Sequence, residues 1–429
     1  MSFLLICFVL FLVMGMPIAF VIGIAGFAYF FTVPYLTFET ATQMIVSQSQ
    51  SFAFLAVPFF IFAGNLMNVS GITNRLLGLA RLVTRGMYGG TAQISVVMST
   101  LMGGVSGSAT ADAAMETRIL GPEMMRLGYK KGYICAVNCV TALITATIPP
   151  SLGLIIFGFV GEVSIGRLFA AGIIPGILMM TFLMSTTSVT SRIYRYDPPR
   201  KDAPKLSPSE LFNNLKESVW ALLFPVILIV GIRFGVFTPS ESGAFAVVYA
   251  IIIGKFVYKE LTWKNFKEAL ITTLKDNGAI MLIIAMSGPF SYAITWVKLP
   301  VALSTMIFGI TDNPQALVLI MLGFLFITGM VVDSNVNFLL LTPIFLPMVK
   351  EAGIDPVHFG VLMATVITLG VMTPPIGSAL YTVCGIIGCP PEEYTRHSLP
   401  FMGAVLLELA ILVFLPELVL WIPNMIFGT

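Results

Sequence analysis

Two runs place side-chain oxygens inside otherwise apolar sequence. The first reads Gly103-Gly104-Val105-Ser106-Gly107-Ser108-Ala109-Thr110-Ala111-Asp112. The second reads Thr328-Gly329-Met330-Val331-Val332-Asp333-Ser334-Asn335-Val336-Asn337. Runs of this kind interrupt a helix and bare its backbone, which a bilayer tolerates only against protein or a watery cavity. Freed carbonyls, hydroxyls and a carboxylate suit a hard cation. The start of the helix that follows suits an anion. A carboxylate in a membrane segment is costly and marks a functional site, and Asp333 can also serve as a plain helix cap.

Two double prolines complete the set: Thr147-Ile148-Pro149-Pro150-Ser151 and Thr373-Pro374-Pro375-Ile376-Gly377-Ser378. A proline has no amide donor and frees a carbonyl one turn back, so two in succession open a helix. The opened carbonyls with Thr or Ser hydroxyls form an oxygen cage for sodium. The new N-terminus points positive potential at a substrate carboxylate. Close helix packing through small residues is the competing reading of the glycine-rich tip.

Other polar groups carry less. Glu116 and Arg118 follow the first tip and are expected to pair or to reach the interface, whereas Glu408 and Glu417 lie in the last crossing and could face a partner subunit. Cys7, Cys135, Cys139, Cys384 and Cys389 all sit in or beside apolar segments and read as free, packing thiols. Cys135 and Cys139 share a helix face without clustered His or acids, so the only metal expected is sodium. The two histidines, His358 and His397, fall near expected loops, and HExxH, G-x-S-x-G and Walker patterns are missing. The chain does not read as an enzyme.

The elements that must hold these residues are membrane helices. The chain has 429 residues, 57% hydrophobic and only 10% charged, where soluble domains carry about a quarter charged. Net charge is +2, which gives no electrostatic case for nucleic acid. Candidate crossings are 3–31, 45–67, 133–160, 167–191, 219–236, 242–258, 277–297, 356–388 and 398–428, nine or ten in all with two re-entrant hairpins. The first, interrupted at Gly15-Met16-Pro17, is either one kinked helix or a tight pair, and the side of the N-terminus stays open. It reads as a retained membrane segment and not as a signal peptide. Amphipathic stretches at 70–85 and 260–275 are expected to lie in the headgroup plane.

The long polar run 192–217 holds Arg192, Arg195, Arg200, Lys201, Lys205 and Lys216, which marks it as cytoplasmic and divides the chain into halves. The halves resemble each other. Pro122 follows Asp112 by ten residues, as Pro343 follows Asp333, and Pro58-Phe59 answers Pro289-Phe290. The interval from Pro122 to Pro149 is four residues shorter than that from Pro343 to Pro374, so this register implies a four-residue insertion in the loop 350–360. Arg75, Arg81, Arg85, Arg126, Lys130 and Lys131 flank the first hairpin. Around the second lie Lys298 and Lys350 with Asp312, Glu351 and Asp355. The positive-inside rule then opens the first hairpin to the cytoplasm and the second to the outside. The expected fold is an all-α polytopic membrane protein of inverted repeats, with two re-entrant helical hairpins and two broken helices, as in secondary transporters.

These motifs, with Leu341-Thr342-Pro343-Ile344-Phe345-Leu346-Pro347, Gly353-Ile354-Asp355-Pro356 and Met372 to Ser378, resemble the large membrane (M) subunit of tripartite ATP-independent periplasmic (TRAP) transporters, over nearly the whole chain. The resemblance implies an elevator-type, sodium-coupled importer of carboxylate-bearing solutes in the bacterial inner membrane. Sialic acid is the first expectation and a four-carbon dicarboxylate the second. It implies no cofactor beyond the coupling ions. The implied partners are a soluble periplasmic substrate-binding protein and a small four-helix membrane subunit, here expected as a separate chain. Residues 1–89 would be scaffold, 90–191 the first transport half (hairpin 92–128, broken helix 133–160), and 192–217 the cytoplasmic linker. Residues 218–314 would be scaffold, 315–395 the second transport half (hairpin 315–350, broken helix 356–388), and 396–429 a final helix. Carried onto this sequence, sodium would take Gly104, Ser106 and Ser108 against the opposing break, and Asp333 and Asn335 against Thr373, Gly377 and Ser378. Substrate would lie between the tips at Thr110, Asp112, Thr147, Ser151 and Ser334, with no central Arg on offer. A stand-alone sodium symporter or sodium/proton antiporter of related inverted-repeat fold remains the alternative, and a channel a third.

Overall fold

A computed structural model describes residues 2–33, 36–50, 52–198, 207–311 and 313–428. Arg200, Lys201, Lys205 and Asp312 lie outside them. The described chain is helical throughout, with no strand. It opens with α1 (Ser2–Val13), α2 (Ile18–Thr32), α3 (Phe38–Ser49), α4 (Ala56–Val69) and α5 (Ile72–Val83). The first hairpin is α6 (Gly90–Gly103) and α7 (Ala109–Arg126), followed by a broken helix, α8 (Lys131–Thr141), α9 (Leu143–Thr147) and α10 (Leu152–Val160). Next come α11 (Ile165–Tyr194), α12 (Pro208–Arg233), α13 (Pro239–Ile252), α14 (Trp263–Trp296) and α15 (Leu299–Phe308). The second hairpin is α16 (Pro314–Val331) and α17 (Ser334–Glu351), and its broken helix is α18 (Pro356–Val371) and α19 (Ser378–Ile387). The chain ends in α20 (Pro391–Phe414) and α21 (Pro416–Phe427).

Six described helices are long and apolar enough to cross a membrane, or up to eight spans if each of two bent pairs counts as one. The expectation of nine or ten crossings is therefore revised. The stretch 3–31 is a tight pair: Gly15 takes φ +74° and Pro17 lacks an amide, so the chain turns and α1 packs on α2. The twelve residues of α1 reach only about 18 Å of a ~30 Å hydrocarbon core. The stretch 260–275 is not a separate interfacial helix but the opening of α14. The polar linker is shorter than 192–217, because α11 runs to Tyr194 and α12 starts at Pro208.

The repeat holds in a different register. One interval carries Ala109 to Ser334, Arg126 to Glu351, Lys131 to Pro356 and Pro149-Pro150 to Pro374-Pro375, and both α7 and α17 have 18 residues. Pro122 therefore answers Pro347, not Pro343, and no insertion falls between the hairpins' second arms and the broken helices, whereas Pro58 and Pro289 lie outside this interval. Asp333 answers Ser108, since each is the N-cap of its hairpin's second arm, and Asp112 answers Asn337. The halves also pack reciprocally. The second arm of each hairpin lies against the far half of the other repeat's broken helix, α7 on α19 and α17 on α10.

The first hairpin enters and leaves on one side. At its start the Gly89 amide donates to the Asp197 carbonyl (3.0 Å), and the Thr91 amide and hydroxyl donate to Asp197 Oδ2 (3.0 and 2.9 Å). At its end the Lys130 amide donates to Tyr196 Oη (3.2 Å), and the Tyr129 and Tyr196 rings stack at 4.5 Å. One loop at the start of the linker thus holds both feet of the hairpin.

Candidate functional site

The two tips face each other across a cavity of about 110 Å³. From the first tip come Gly107, Ser108, Ala109 and Thr110, and from the second Asp333, Ser334, Asn335 and Phe338. The first break supplies Ala146, Ser151, Leu152 and Gly153, and α18 supplies Ala364 and Thr368. None of these side chains is basic.

Three helices begin at this cavity. Ser108 is the N-cap of α7. Ser151 caps α10, accepting from the Leu154 amide (3.4 Å) while donating to the Ala146 carbonyl (2.5 Å). Asp333 caps α17, its Oδ1 accepting from the Asn335 amide (2.9 Å). Each start brings the positive end of a helix dipole, and the caps of α10 and α17 meet one first-turn amide each.

Gly107 fits the first tip to the first break. It takes φ +66°, and a side chain there would collide with the Pro150 carbonyl. Its own carbonyl accepts from the Leu152 amide (3.5 Å). Both double prolines hold a cis bond between their two rings. The second hairpin uses a glycine crossing instead. Gly329 meets Gly370, where an added Cβ at Gly370 would fall 2.7 Å from the Gly329 backbone, so α16 runs close to α18 just before the second break.

Beneath the first tip lie two carboxylates. Asp112 is fully buried and its Oδ2 accepts from the Ser106 hydroxyl (2.5 Å). Its Oδ1 has no donor among the described residues, for the neighbouring Thr145 hydroxyl is turned to the Ser99 carbonyl at 3.0 Å. One turn on, Glu116 accepts from Ser95 (2.6 Å) and Ser99 (2.8 Å), and Ser95 also meets the Thr141 hydroxyl (2.8 Å). Glu116 and Arg118 do not pair, because Arg118 points outward and is exposed. The Ser95–Ser99 spacing, one helical turn facing a buried acid, is the signal that could have located this network.

Of the residues expected to hold sodium, Ser108, Asp333 and Asn335 line the cavity. Ser106 lies just beneath, on Asp112. Gly104 is packed against Pro225 of α12. Thr373, Gly377 and Ser378 are not among the residues that line this cavity. Thr373 donates to the Leu369 carbonyl (2.7 Å), Gly377 is folded onto the Val371 and Thr373 carbonyls, and Ser378 is exposed. The second tip meets the first break, where Phe338 covers Gly153. Of the expected substrate residues, Thr110, Ser151 and Ser334 line the cavity. Asp112 is sealed below it. Thr147 faces away, its carbonyl against Gly172 and its hydroxyl donating to Leu143 (3.2 Å). Glu408 is buried within its own chain and faces no partner, whereas Glu417 is exposed. Thr368 and Ala364 of α18 were not foreseen, because nothing in the sequence tells which face of a uniformly apolar helix meets a cavity.

Residues 5–418 match the family profile described as tripartite ATP-independent periplasmic transporter, DctM component. The chain is 34% identical over 406 residues to the Escherichia coli 2,3-diketo-L-gulonate TRAP transporter large permease protein YiaN, covering 95% of each. It is 34% identical over 414 residues to the Vibrio cholerae sialic acid TRAP transporter large permease protein SiaM, covering 96% of each. The crystal structure of the Alcanivorax borkumensis YdaH transporter, described as having an unusual topology, superposes with a TM-score of 0.65 at 14% identity, over 97% of this chain and 98% of that one. That likeness establishes a shared polytopic fold.

Proposed function

The chain belongs to the DctM component family of tripartite ATP-independent periplasmic transporters, and from that premise we propose that it is the translocating subunit of a sodium-coupled importer of small carboxylate-bearing solutes. Its solute is delivered by a periplasmic binding protein, and a small membrane subunit completes the complex in the inner membrane. The convergence of three helix N-termini on one cavity carries this reading. Backbone amides and helix dipoles attract a carboxylate without the arginine that the site lacks.

Sodium has a different place. The free oxygen of Asp112 beneath the tip repels an anion and attracts a cation, so we assign Asp112 with Ser106 to the ion and not to the solute. Asp333 stands in the cavity wall, where its charge opposes an anion until a second ion sits between them. Coupling follows: the ion is needed before the solute is held. Each net positive charge moved inward through 100 mV supplies about 2.3 kcal/mol, against about 1.4 kcal/mol for each tenfold of solute accumulation.

The cavity is small. Pockets that enclose a drug-sized ligand run to about 300–1,000 Å³, so a nine-carbon sugar acid enters only when the tips part. Equal identity to permeases named for diketogulonate and sialic acid gives neither solute priority. In the proposed cycle 90–191 and 315–395 move as an elevator against the scaffold, over contacts of small groups such as Gly104 on Pro225 and Gly64 on the Ser106 backbone.

The test is radiolabelled uptake into proteoliposomes holding this chain and its small subunit, with sialic acid, diketogulonate and a four-carbon dicarboxylate. Binding protein and an inward sodium gradient are each added or withheld. Uptake of one solute that requires both supports the proposal. Uptake without the binding protein favours a stand-alone symporter, and uptake indifferent to sodium removes the coupling.

A further inference from the structure

Cys135 meets Cys384 and Cys389, which are far from it in sequence, at one point. Cys135 of α8, Cys384 of α19 and Cys389 are all buried, and their sulfurs lie within 4.8 Å of one another. Gly388, at φ +67°, ends α19 and turns the chain back, so that the Cys389 amide donates to the Cys384 carbonyl (3.0 Å) and its thiol returns toward the helix. A carboxylate approaches one of the three. Cys389 Sγ is 3.9 Å from Glu393 Oε2, while Glu393 Oε1 accepts from the Gly132 amide (3.1 Å). The Lys131 ammonium donates to the Gly388 carbonyl at 3.2 Å.

We propose that Cys135, Cys384 and Cys389 form a three-thiolate site for one thiophilic divalent ion of the zinc class, with the fourth position left to water or, after a shift of its side chain, to Glu393. In a tetrahedral site with metal–sulfur bonds of about 2.3 Å, neighbouring sulfurs stand about 3.8 Å apart, so the cluster needs only a small contraction. Three thiolates and a divalent ion leave net negative charge, which Lys131 and the N-terminus of α8 offset. Each thiol that ligates gives up its proton to solvent, and the exposed Lys131 and Gly388 place the site one residue below the surface. Packing alone gives no reason for a thiol of the first repeat to meet two thiols of the second, one of them beside a carboxylate. A disulfide would use two sulfurs and strand the third. The bound ion joins α8 of the first repeat to the α19–α20 junction of the second, on the linker side of the first hairpin.

The test uses the full-length purified chain in detergent with a non-thiol reductant, titrated with cadmium. The expected result is an ultraviolet thiolate-to-cadmium charge-transfer band that saturates at one ion per chain. Cys384→Ser abolishes it and Cys7→Ser leaves it intact. A wild-type chain that shows no band in excess cadmium overturns the site, as does a band that survives Cys384→Ser undiminished. The wild-type result stands whether or not the variant folds.

Discussion

The two hairpins share one register yet are held by different means. The first turns through Ser106, Gly107 and Ser108, closes Ser106 onto a buried Asp112, and has both feet tied to Tyr196 and Asp197. Its second arm also carries the Arg81–Glu123 pair to α5, with oxygens at 2.6 and 3.2 Å. The second turns at Val332 and Asp333, places its carboxylate in the open at the N-cap, and has Asn337 where the first has Asp112. Asn337 donates to the Val332 carbonyl (3.0 Å), and the Ser304 hydroxyl ties α15 to Glu351 (2.7 Å). One repeat keeps its acid sealed and its loop tight, and the other exposes its acid on a lighter frame. On the proposal above, the first hairpin would seat the ion and the second would form the wall that faces it.

That contrast breaks most sharply at the acid. Asp112→Asn keeps the shape and the Ser106 partner but removes the charge, and uptake should fall on the order of 100-fold, about 2.7 kcal/mol. Asn337→Ala loses one hydrogen bond, about 1 kcal/mol, and should cost roughly fivefold at most. Equal losses in initial-rate uptake would erase the difference between the repeats. Next comes the turn. Gly107→Ala meets the Pro150 carbonyl at a positive φ, and a cost of about 2 kcal/mol in thermal unfolding is expected, whereas Val332→Ala should stay below about 1 kcal/mol.

Asp333→Asn keeps a cap of similar quality, so the fold should hold. The sodium concentration for half-maximal uptake should rise about tenfold, some 1.4 kcal/mol, and an unchanged sodium curve in a well-folded variant would remove Asp333 from the ion's path. The smallest effect is expected at Arg81→Ala. Its pair with Glu123 is substantially exposed, so stability should change by about 0–1 kcal/mol and lessen further in salt.

Much of this was legible in the residues. Runs of glycine and hydroxyl residues and the double prolines in apolar sequence locate the hairpins and broken helices, because they free backbone groups that lipid cannot satisfy. Basic residues near the first hairpin anticipate feet on the linker side. The repeat register was misread by four residues for a physical reason. Four residues are close to one helical turn, so sliding Asp112 onto Asp333 keeps it on the same helix face. The interval shared by the double prolines, with Ser108 and Asp333 each at the start of an arm, removes the ambiguity. The resemblance sets Thr373 to Ser378 against the second tip; among the described contacts that tip also meets the first break, where Phe338 covers Gly153, which no local pattern indicates. The meeting of Cys135 with Cys384 and Cys389 depends on the reciprocal packing of the halves, which no local pattern encodes.

The measurement that tests the central claim most directly is a structure of the chain with its small subunit, determined by electron cryomicroscopy in sodium with the transported anion present. The account places the anion's carboxylate on the amides at the starts of α7, α10 and α17, beside Ser108, Ser151 and Ser334, with ion density at Asp112 and Ser106. An anion held instead at Thr373 to Ser378, away from those three helix ends, would contradict it.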